Sequence, residues 1–216
     1  MRFLKLRATI LTLLLSICFF SSTAFATTMG ESNALRSAGS YLAFTAFSYE
    51  GLIDQLEFEG YTTAEATYAA DNCGADWNEQ AVKSAQNYLS FTSFSQEGLI
   101  DQLKYEGFTP EQAAYGVSLA YGNSDSQALK SAKNYLSFSA FSYEGLIDQL
   151  IYEGYSREDA TYAADHCGAD WNEQAAKSAA NYLSFMAFSR SGLIDQLEYE
   201  GFTHEQAVYG VTQNGY

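Results

Sequence analysis

The sequence predicts an all-α fold of four tandem 47-residue repeats, each a three-helix unit of helix-turn-helix type, stacked in two pairs. The main observation is the hexamer Gly-Leu-Ile-Asp-Gln-Leu, which occurs four times at intervals of 47 residues, beginning at Gly51, Gly98, Gly145 and Gly192. A second observation is that every copy carries three helix-start signals. Such a period is typical of arrays in which one structural unit is copied. We expect repeats at residues 31–74, 75–121, 122–168 and 169–216.

The first 26 residues have the pattern of a secretory signal peptide. Three basic residues come first, an apolar run over residues 8–20 follows, and Ala24-Phe25-Ala26 offers small residues for cleavage. We therefore expect residues 1–26 to be removed after Ala26 and the mature chain to be extracellular or at the cell surface. Lipidation of Cys18 is a disfavoured alternative, because Ile17 stands where a lipoprotein signal has a small residue. Membrane contact is expected only through the signal peptide or such an anchor.

The chain that remains is strongly acidic. Taking the three basic residues of residues 1–26 from the eleven Lys and Arg leaves eight against 26 Asp and Glu, a net charge of −18. Such a field repels nucleic acid and favours basic partners. Cys73 and Cys167 occupy equivalent places in repeats 1 and 3. Export permits a disulfide between them or between chains, and a role as small buried apolar groups is equally open.

An apolar face defines the first helix of each repeat, and the hexamer defines the second. In repeat 1, apolar residues at spacings of three and four predict a helix from about Asn33 to Phe47. Ser48 is placed to cap the second helix, whose Leu and Ile residues point inward. Gly60 then supplies the left-handed conformation that ends helices.

A capping box starts the third helix of each repeat. Thr62 and Glu65 form it in repeat 1. The equivalent pairs in the later repeats are Thr109 with Gln112, a weaker Ser156 with Asp159, and Thr203 with Gln206. Pro110 falls at the first helical position, where its missing N–H is harmless.

The joints between repeats are of two kinds. Asp76 with Glu79, and Asp170 with Glu173, are placed to cap the next first helix. Residues 121–126 are rich in turn formers instead, which indicates a looser hinge between two pairs of repeats. Because a 47-residue unit is near the lower limit for a stable core, we expect neighbours to share buried surface and Tyr and Phe to fill the cores.

The sequence gives little support for a catalytic site, a metal site or a DNA-binding site. His166 and His204 have no partner that repeats around them, and the third helices carry Arg157 as their one Lys or Arg. A DNA-reading helix needs several basic residues, so nucleic-acid binding is excluded. We expect no enzyme activity, no cofactor and no metal.

The candidate partner-binding residues are the Asp-Gln pair of each hexamer and two tryptophans at the joints. They are Asp54, Gln55, Asp101, Gln102, Asp148, Gln149, Asp195, Gln196, Trp77 and Trp171. The pairs either dock one helix or repeat against another, or offer acidic groups at regular intervals to an extended basic protein segment. The tryptophans either plug the joints or form interface hot spots.

The hexamer, with the segments at residues 59–62, 65–72 and 75–78, resembles the Ltp-like repeat of host-cell-surface-exposed lipoproteins. The resemblance implies helix-turn-helix repeats outside Gram-positive cells, no enzyme activity, and a protein-binding role in superinfection exclusion, aimed at the phage injection machinery. This sequence departs from the family in lacking a good lipid-attachment signal and in having four repeats. An alternative is a structural or adhesive module that binds the cell wall or host surfaces.

Overall fold

The computed structural model describes residues 27–122 and 124–216, and this part of the chain is helical throughout, in four repeats of three helices. The helices are α1 (Met29–Phe44), α2 (Tyr49–Phe58), α3 (Thr63–Asn72), α4 (Trp77–Phe91), α5 (Gln96–Tyr105), α6 (Pro110–Ala120), α7 (Ser124–Phe138), α8 (Tyr143–Tyr152), α9 (Arg157–His166), α10 (Trp171–Phe185), α11 (Arg190–Tyr199) and α12 (His204–Gln213). The predicted signal peptide, its cleavage after Ala26 and the alternative lipidation site at Cys18 lie outside the described residues.

Helix α1 differs from the prediction at both ends. It begins at Met29 because Thr28 forms a full capping box with Glu31, a signal that the sequence analysis missed. It ends at Phe44 because Thr45 is extended, with φ −149° and ψ 169°. The three residues Thr45 to Phe47 therefore form a turn that connects α1 to the start of α2.

The predicted caps of the second and third helices are confirmed. The Ser48 hydroxyl accepts a hydrogen bond from the N–H of Gly51, and Gly60 ends the helix with φ +99°. Full capping boxes start α3, α6 and α12, whereas α9 has the Ser156 cap without a reciprocal bond described. Pro110 is the first residue of α6.

Buried leucines and alanines form four separate cores, one in each repeat. The two hexamer leucines are fully buried in every copy: Leu52, Leu56, Leu99, Leu103, Leu146, Leu150, Leu193 and Leu197. Burying one leucine stabilises the fold by about 1.5–3 kcal/mol. The buried clusters do not extend across repeats. At two of the joints a tryptophan connects neighbouring repeats. Trp77 and Trp171 each start the first helix of one repeat and pack on the core of the repeat before it.

The prediction that Tyr and Phe fill the cores is wrong at the helix ends. Four phenylalanines that end the first helices are 86–90% exposed: Phe44, Phe91, Phe138 and Phe185. The aromatic residues that end the second helices are equally exposed: Phe58, Tyr105, Tyr152 and Tyr199. Alanine occupies the core positions instead, because the first and third helices pack too closely for large rings.

The closest helix approach occurs in repeats 2 and 4. A Cβ added to Gly116 in α6 would lie 2.6 Å from the carbonyl carbon of Ala81 in α4, and a Cβ added to Gly210 would lie 2.6 Å from the carbonyl oxygen of Ala175. Both distances are shorter than van der Waals contact, so these two positions require glycine.

The contact between α4 and α6 gives a stability prediction. Replacing Gly116→Ala is expected to lower the free energy of unfolding by about 1–3 kcal/mol, because backbone must move to admit the methyl group. Gly39→Ala is the control, since Gly39 lies in α1 with nothing within 4 Å of its Cβ position. That change is expected to raise stability by about 0.5–1 kcal/mol. Urea unfolding followed by circular dichroism measures both, and equal effects would contradict the packing argument.

One hydrogen bond recurs at all three junctions between repeats. The serine that caps a second helix donates its hydroxyl to the backbone carbonyl at the end of the next repeat's second helix. The pairs are Ser48 with Glu106, Ser95 with Glu153, and Ser142 with Glu200, the last at 2.5 Å. Because this hydrogen bond is the same at the middle junction as at the other two, it does not divide the four repeats into the two predicted pairs.

Glycines on both sides allow this close approach. The Glu106 carbonyl oxygen lies 3.3 Å from the Cβ position of Gly51, the first residue of the hexamer. Gly107, with φ +87°, would place a Cβ 2.9 Å from the Ser48 hydroxyl and 3.0 Å from the Cβ of Glu50. Gly60 is the equivalent residue in repeat 1 and has nothing within 4 Å.

The junction therefore predicts a difference between two equivalent glycines. Gly107→Ala and Gly60→Ala both strain a left-handed residue by about 1 kcal/mol. Gly107→Ala is also expected to push repeats 1 and 2 apart and to increase the radius of gyration measured by small-angle X-ray scattering. Gly60→Ala should leave the radius at the wild-type value. The same radius for both variants would argue against the junction as described.

Candidate functional site

The glutamine of each hexamer is part of an internal hydrogen-bond chain. In repeat 2, the Gln102 amide donates to the Tyr88 hydroxyl at 3.1 Å, and Tyr88 donates to the Glu106 carboxylate. The Ser84 hydroxyl donates to the same carboxylate at 3.0 Å. Repeats 1, 3 and 4 have the equivalent Gln-Tyr-Glu chains, formed by Gln55, Tyr41 and Glu59, by Gln149, Tyr135 and Glu153, and by Gln196, Tyr182 and Glu200. The glutamines therefore hold the first helix against the second.

The aspartate of each hexamer faces solvent instead. Asp54, Asp101, Asp148 and Asp195 are all exposed. Asp101 pairs with Lys104 at 2.8 Å on the surface of α5. Exposed ion pairs contribute little free energy, so the pair with Lys104 leaves these four exposed aspartates, here called the acidic row, largely intact. The structure thus separates the two members of the predicted pair, placing the glutamine inside and the aspartate outside.

Burial and hydrogen bonding together raise the pKa of the tyrosines in these hydrogen-bond chains. Burial and then the bond to the Glu106 carboxylate raise the pKa of Tyr88. The same two causes raise the pKa of Tyr135, and for Tyr182 the bond to Glu200 is the larger cause. A neutral tyrosine can donate to a carboxylate, whereas a tyrosinate would repel it, so the folded state favours the protonated ring.

These shifts predict a loss of stability in alkali. In the folded protein the pKa of these tyrosines lies above the unfolded value of about 10. Their contribution to stability is therefore complete below a pH of about 10 and is lost as the pH rises through the folded-state pKa. Urea unfolding between pH 8 and pH 12 measures it. The triple variant Tyr88→Phe, Tyr135→Phe, Tyr182→Phe should be less stable at pH 8 and should lose less stability above pH 10. A parallel pH dependence of both proteins would show that other groups are responsible.

Each junction opens a cleft between two repeats, here called a junction cleft. One wall is the turn after the first helix of the preceding repeat, and the other is the end of the following repeat's first helix. The first is lined by Thr45, Ala46, Ser84, Asn87, Tyr88, Phe91 and Glu106, the second by Thr92, Ser93, Ser131, Asn134, Tyr135, Phe138 and Glu153, and the third by Ser139 to Ser142, Gly145, Ser178, Asn181, Tyr182, Phe185 and Glu200. The volumes are about 220, 210 and 450 Å³.

Exposed aromatic rings and carboxylates border these clefts. Phe91 lines the first junction cleft, and a second cavity of about 430 Å³ at the same junction is lined by Glu50, Asp54 and Tyr105. A hexamer aspartate of repeat 1 thus faces the exposed tyrosine of repeat 2. The exposure of the phenylalanines that end the first helices was not predicted from the sequence, although each of them follows the last turn that faces the core.

The tryptophans at the joints pack against the repeat that precedes them. Trp77 contacts the ring of Tyr49 edge to face, with centroids 5.5 Å apart, and Trp171 contacts Tyr143 in the same way. At the middle joint Tyr121 takes this place and donates its hydroxyl to the carbonyl of Phe94 at 2.7 Å. This half-buried geometry is that of a packing group.

Cys73 and Cys167 are free thiols in this structure, so they are not joined to each other. Each lies at the end of a third helix and donates to a carbonyl within its own repeat, that of Ala70 at 3.3 Å and that of Ala164 at 3.2 Å. Both pack against the core of that repeat. This position corresponds to the role as small, partly buried apolar groups.

The described residues contain neither a metal-ligand cluster nor a membrane-spanning helix. No group of three or more His, Cys, Asp and Glu side chains there is arranged to hold a metal ion. Within the same ranges, no helix has the length and apolarity needed to cross a membrane.

Comparison with known proteins gives a family. The family model described as host cell surface-exposed lipoprotein (Lipoprotein_Ltp) matches four segments, residues 31–73, 76–119, 123–167 and 170–213. The solved structure of Ltp, a superinfection exclusion protein from the Streptococcus thermophilus temperate phage TP-J34, is similar with 33% sequence identity and a TM-score of 0.40, over 42% of this chain and 95% of that one. A search of curated proteins found no match. Because each repeat matches the family model, the chain belongs to the Ltp family of host cell surface-exposed lipoproteins.

Proposed function

We propose that this protein is exported to the cell surface, where it binds an extended basic segment of a protein partner along its junction clefts and thereby interferes with the injection of phage DNA. The observation that carries the proposal is the threefold repetition of one cleft, lined each time by an exposed phenylalanine and a carboxylate. Superinfection exclusion and the phage injection machinery as partner enter through the family resemblance.

Aromatic rings at the cleft rims suit apolar side chains of a partner. Phe91, Phe138 and Phe185 expose almost their whole rings to water, and burying such rings is a main source of binding free energy in interfaces. Their regular placement favours a partner that is itself extended, because a segment that reaches several clefts gains affinity through multivalency.

The charge of the surface suits a basic segment. The chain after residue 26 carries −18, and Asp54 and Glu50 line one of the junction cavities. Acidic groups of this kind accelerate the approach of a basic partner and align it. A positively charged segment with apolar side chains at intervals therefore matches both features of the clefts.

Phage infection of cells that express the protein tests the proposal. For at least one phage, adsorption should stay at the level of control cells while the amount of phage DNA that reaches the cytoplasm falls. The triple variant Phe91→Ser, Phe138→Ser, Phe185→Ser should restore injection. Phe44→Ser is the matched control, since Phe44 is as exposed but lines none of the three junction clefts. Normal injection of every phage tried would contradict the proposal.

A second variant set tests the acidic row. Asp54→Asn, Asp101→Asn, Asp148→Asn and Asp195→Asn together should weaken exclusion, whereas an equal loss of charge away from the clefts, at Glu111, Glu158, Glu173 and Glu205, should change it less. Sedimentation with purified peptidoglycan separates the adhesive alternative. Saturable retention that survives the four aspartate changes would favour wall binding over recognition of a basic protein.

A further inference from the structure

Each junction cleft contains one carboxylate that has no cationic partner. These groups, here called the cleft carboxylates, belong to the glutamates that follow the second helices: Glu106, Glu153 and Glu200. All three glutamates are half-buried, and in the part of the chain that the structure describes none is paired with a Lys, Arg or His side chain. A charge held partly out of water is unfavourable unless a group of opposite sign compensates it. A positively charged occupant of the cleft therefore gains more at these groups than at the fully solvated acidic row.

The hydrogen bonds within each repeat leave half of the cleft carboxylate unused. In repeat 2 the carboxylate of Glu106 accepts from the hydroxyls of Tyr88 and Ser84, one on each oxygen. The equivalent bonds in the other two clefts are those of Tyr135 and Ser131 to Glu153, and of Tyr182 and Ser178 to Glu200. An ionised carboxylate offers about four acceptor positions, so about two remain for a ligand. The two hydroxyls also hold the carboxylate in one orientation before a ligand arrives, which favours binding.

An exposed aromatic ring lines the same cleft as each carboxylate. The rings are those of Phe91, Phe138 and Phe185, which are 86–90% exposed, and no Lys, Arg or His lines any of the three clefts. A guanidinium group suits both features, because its planar fork donates two parallel N–H bonds to a carboxylate and its flat face stacks on an aromatic ring. An ammonium group has the charge but neither the fork nor the flat face. The clefts therefore favour arginine over lysine.

We propose that each junction cleft binds one arginine side chain of the partner segment, with the guanidinium on the cleft carboxylate and against the phenylalanine ring. This assignment rests on the proposed function for the source of the arginine, which is the extended basic segment of a protein. It adds the chemistry that the segment must carry, namely arginines spaced to reach neighbouring clefts. The acidic row then attracts and aligns the segment from outside, while the cleft carboxylates bind it.

NMR titration of isotope-labelled residues 27–216 with Nα-acetyl-arginine methylamide tests the site. The side-chain amides of Asn87, Asn134 and Asn181 are the reporters, since each lines one cleft. Their signals should shift and saturate. The corresponding lysine compound should bind at least about threefold more weakly, and the norleucine compound should produce no saturable shift. The absence of saturable shifts with the arginine compound, or equal affinities for the arginine and lysine compounds, would overturn the proposal.

The variant Glu153→Gln changes the middle cleft and leaves the other two as internal controls. Glutamine keeps an oxygen that can accept from a hydroxyl but removes the charge. The affinity reported by Asn134 should fall at least about tenfold, whereas Asn87 and Asn181 should report wild-type affinities. The backbone amide signal of Ser95, whose hydroxyl donates to the Glu153 carbonyl, checks that the junction is intact. An unchanged affinity at Asn134 would contradict the role of the carboxylate.

Two further variants separate the site from general effects on charge and packing. Phe138→Leu removes the aromatic face and none of the hydrogen-bonding groups, and it should weaken binding in the middle cleft about twofold to fivefold. Glu59→Gln is the matched control, because Glu59 accepts the equivalent bond from Tyr41 but lines none of the three junction clefts. It should leave all three affinities at the wild-type value. A loss as large as that of Glu153→Gln would mean that charge at a distance is responsible, and the assignment would be wrong.

These titrations involve no phage, so the arginine site and the proposed function can fail separately. Normal injection of every phage, together with arginine binding in the clefts, would contradict the proposed function and leave the site in place. Blocked injection without arginine binding would overturn the site and leave the proposed function standing.

Discussion

The serine hydroxyl that caps each second helix is the interaction on which the array depends. Ser48 accepts a hydrogen bond from the Gly51 N–H within its own repeat and donates one to the Glu106 carbonyl of the next. One atom thus fixes both where a helix begins and where the following repeat lies. Because the acceptor is the last turn of another second helix, the positive end of one helix meets the negative end of the next at every junction.

This arrangement explains the composition of the hexamer. Its two leucines fill the core, its glutamine holds the tyrosine that binds the glutamate after the helix, and its glycine admits the carbonyl of the next repeat. In repeat 2 the glutamate so held is Glu106, whose backbone carbonyl accepts from Ser48. The hydrogen bonds within a repeat and the hydrogen bond between repeats therefore meet at one residue, which is Glu106 in repeat 2. Its isoleucine packs in or against the core, and its aspartate is exposed at the surface.

Local signals made the helices predictable, whereas the junctions depend on distant residues. Capping residues act on backbone groups three positions away, so Ser48, Thr62 and Pro110 could be assigned from the sequence. The junction acceptor lies 58 residues from its serine, and no local pattern indicates it. The exposed phenylalanines were missed for a related reason, since periodicity identifies the face of a helix but not the point at which neighbouring helices stop covering it.

The repeats have separate cores and few contacts at their junctions, and this affects how a partner segment would bind. Each repeat buries its own leucines, and neighbouring repeats are joined by a few polar contacts and a shared aromatic ring at some joints. Stability in such an array is a sum of repeat terms and smaller neighbour terms. A segment that touches both walls of a junction cleft binds the joined state of two repeats more tightly than the separated state. A partner segment bound as proposed would therefore stabilise the junction that it bridges.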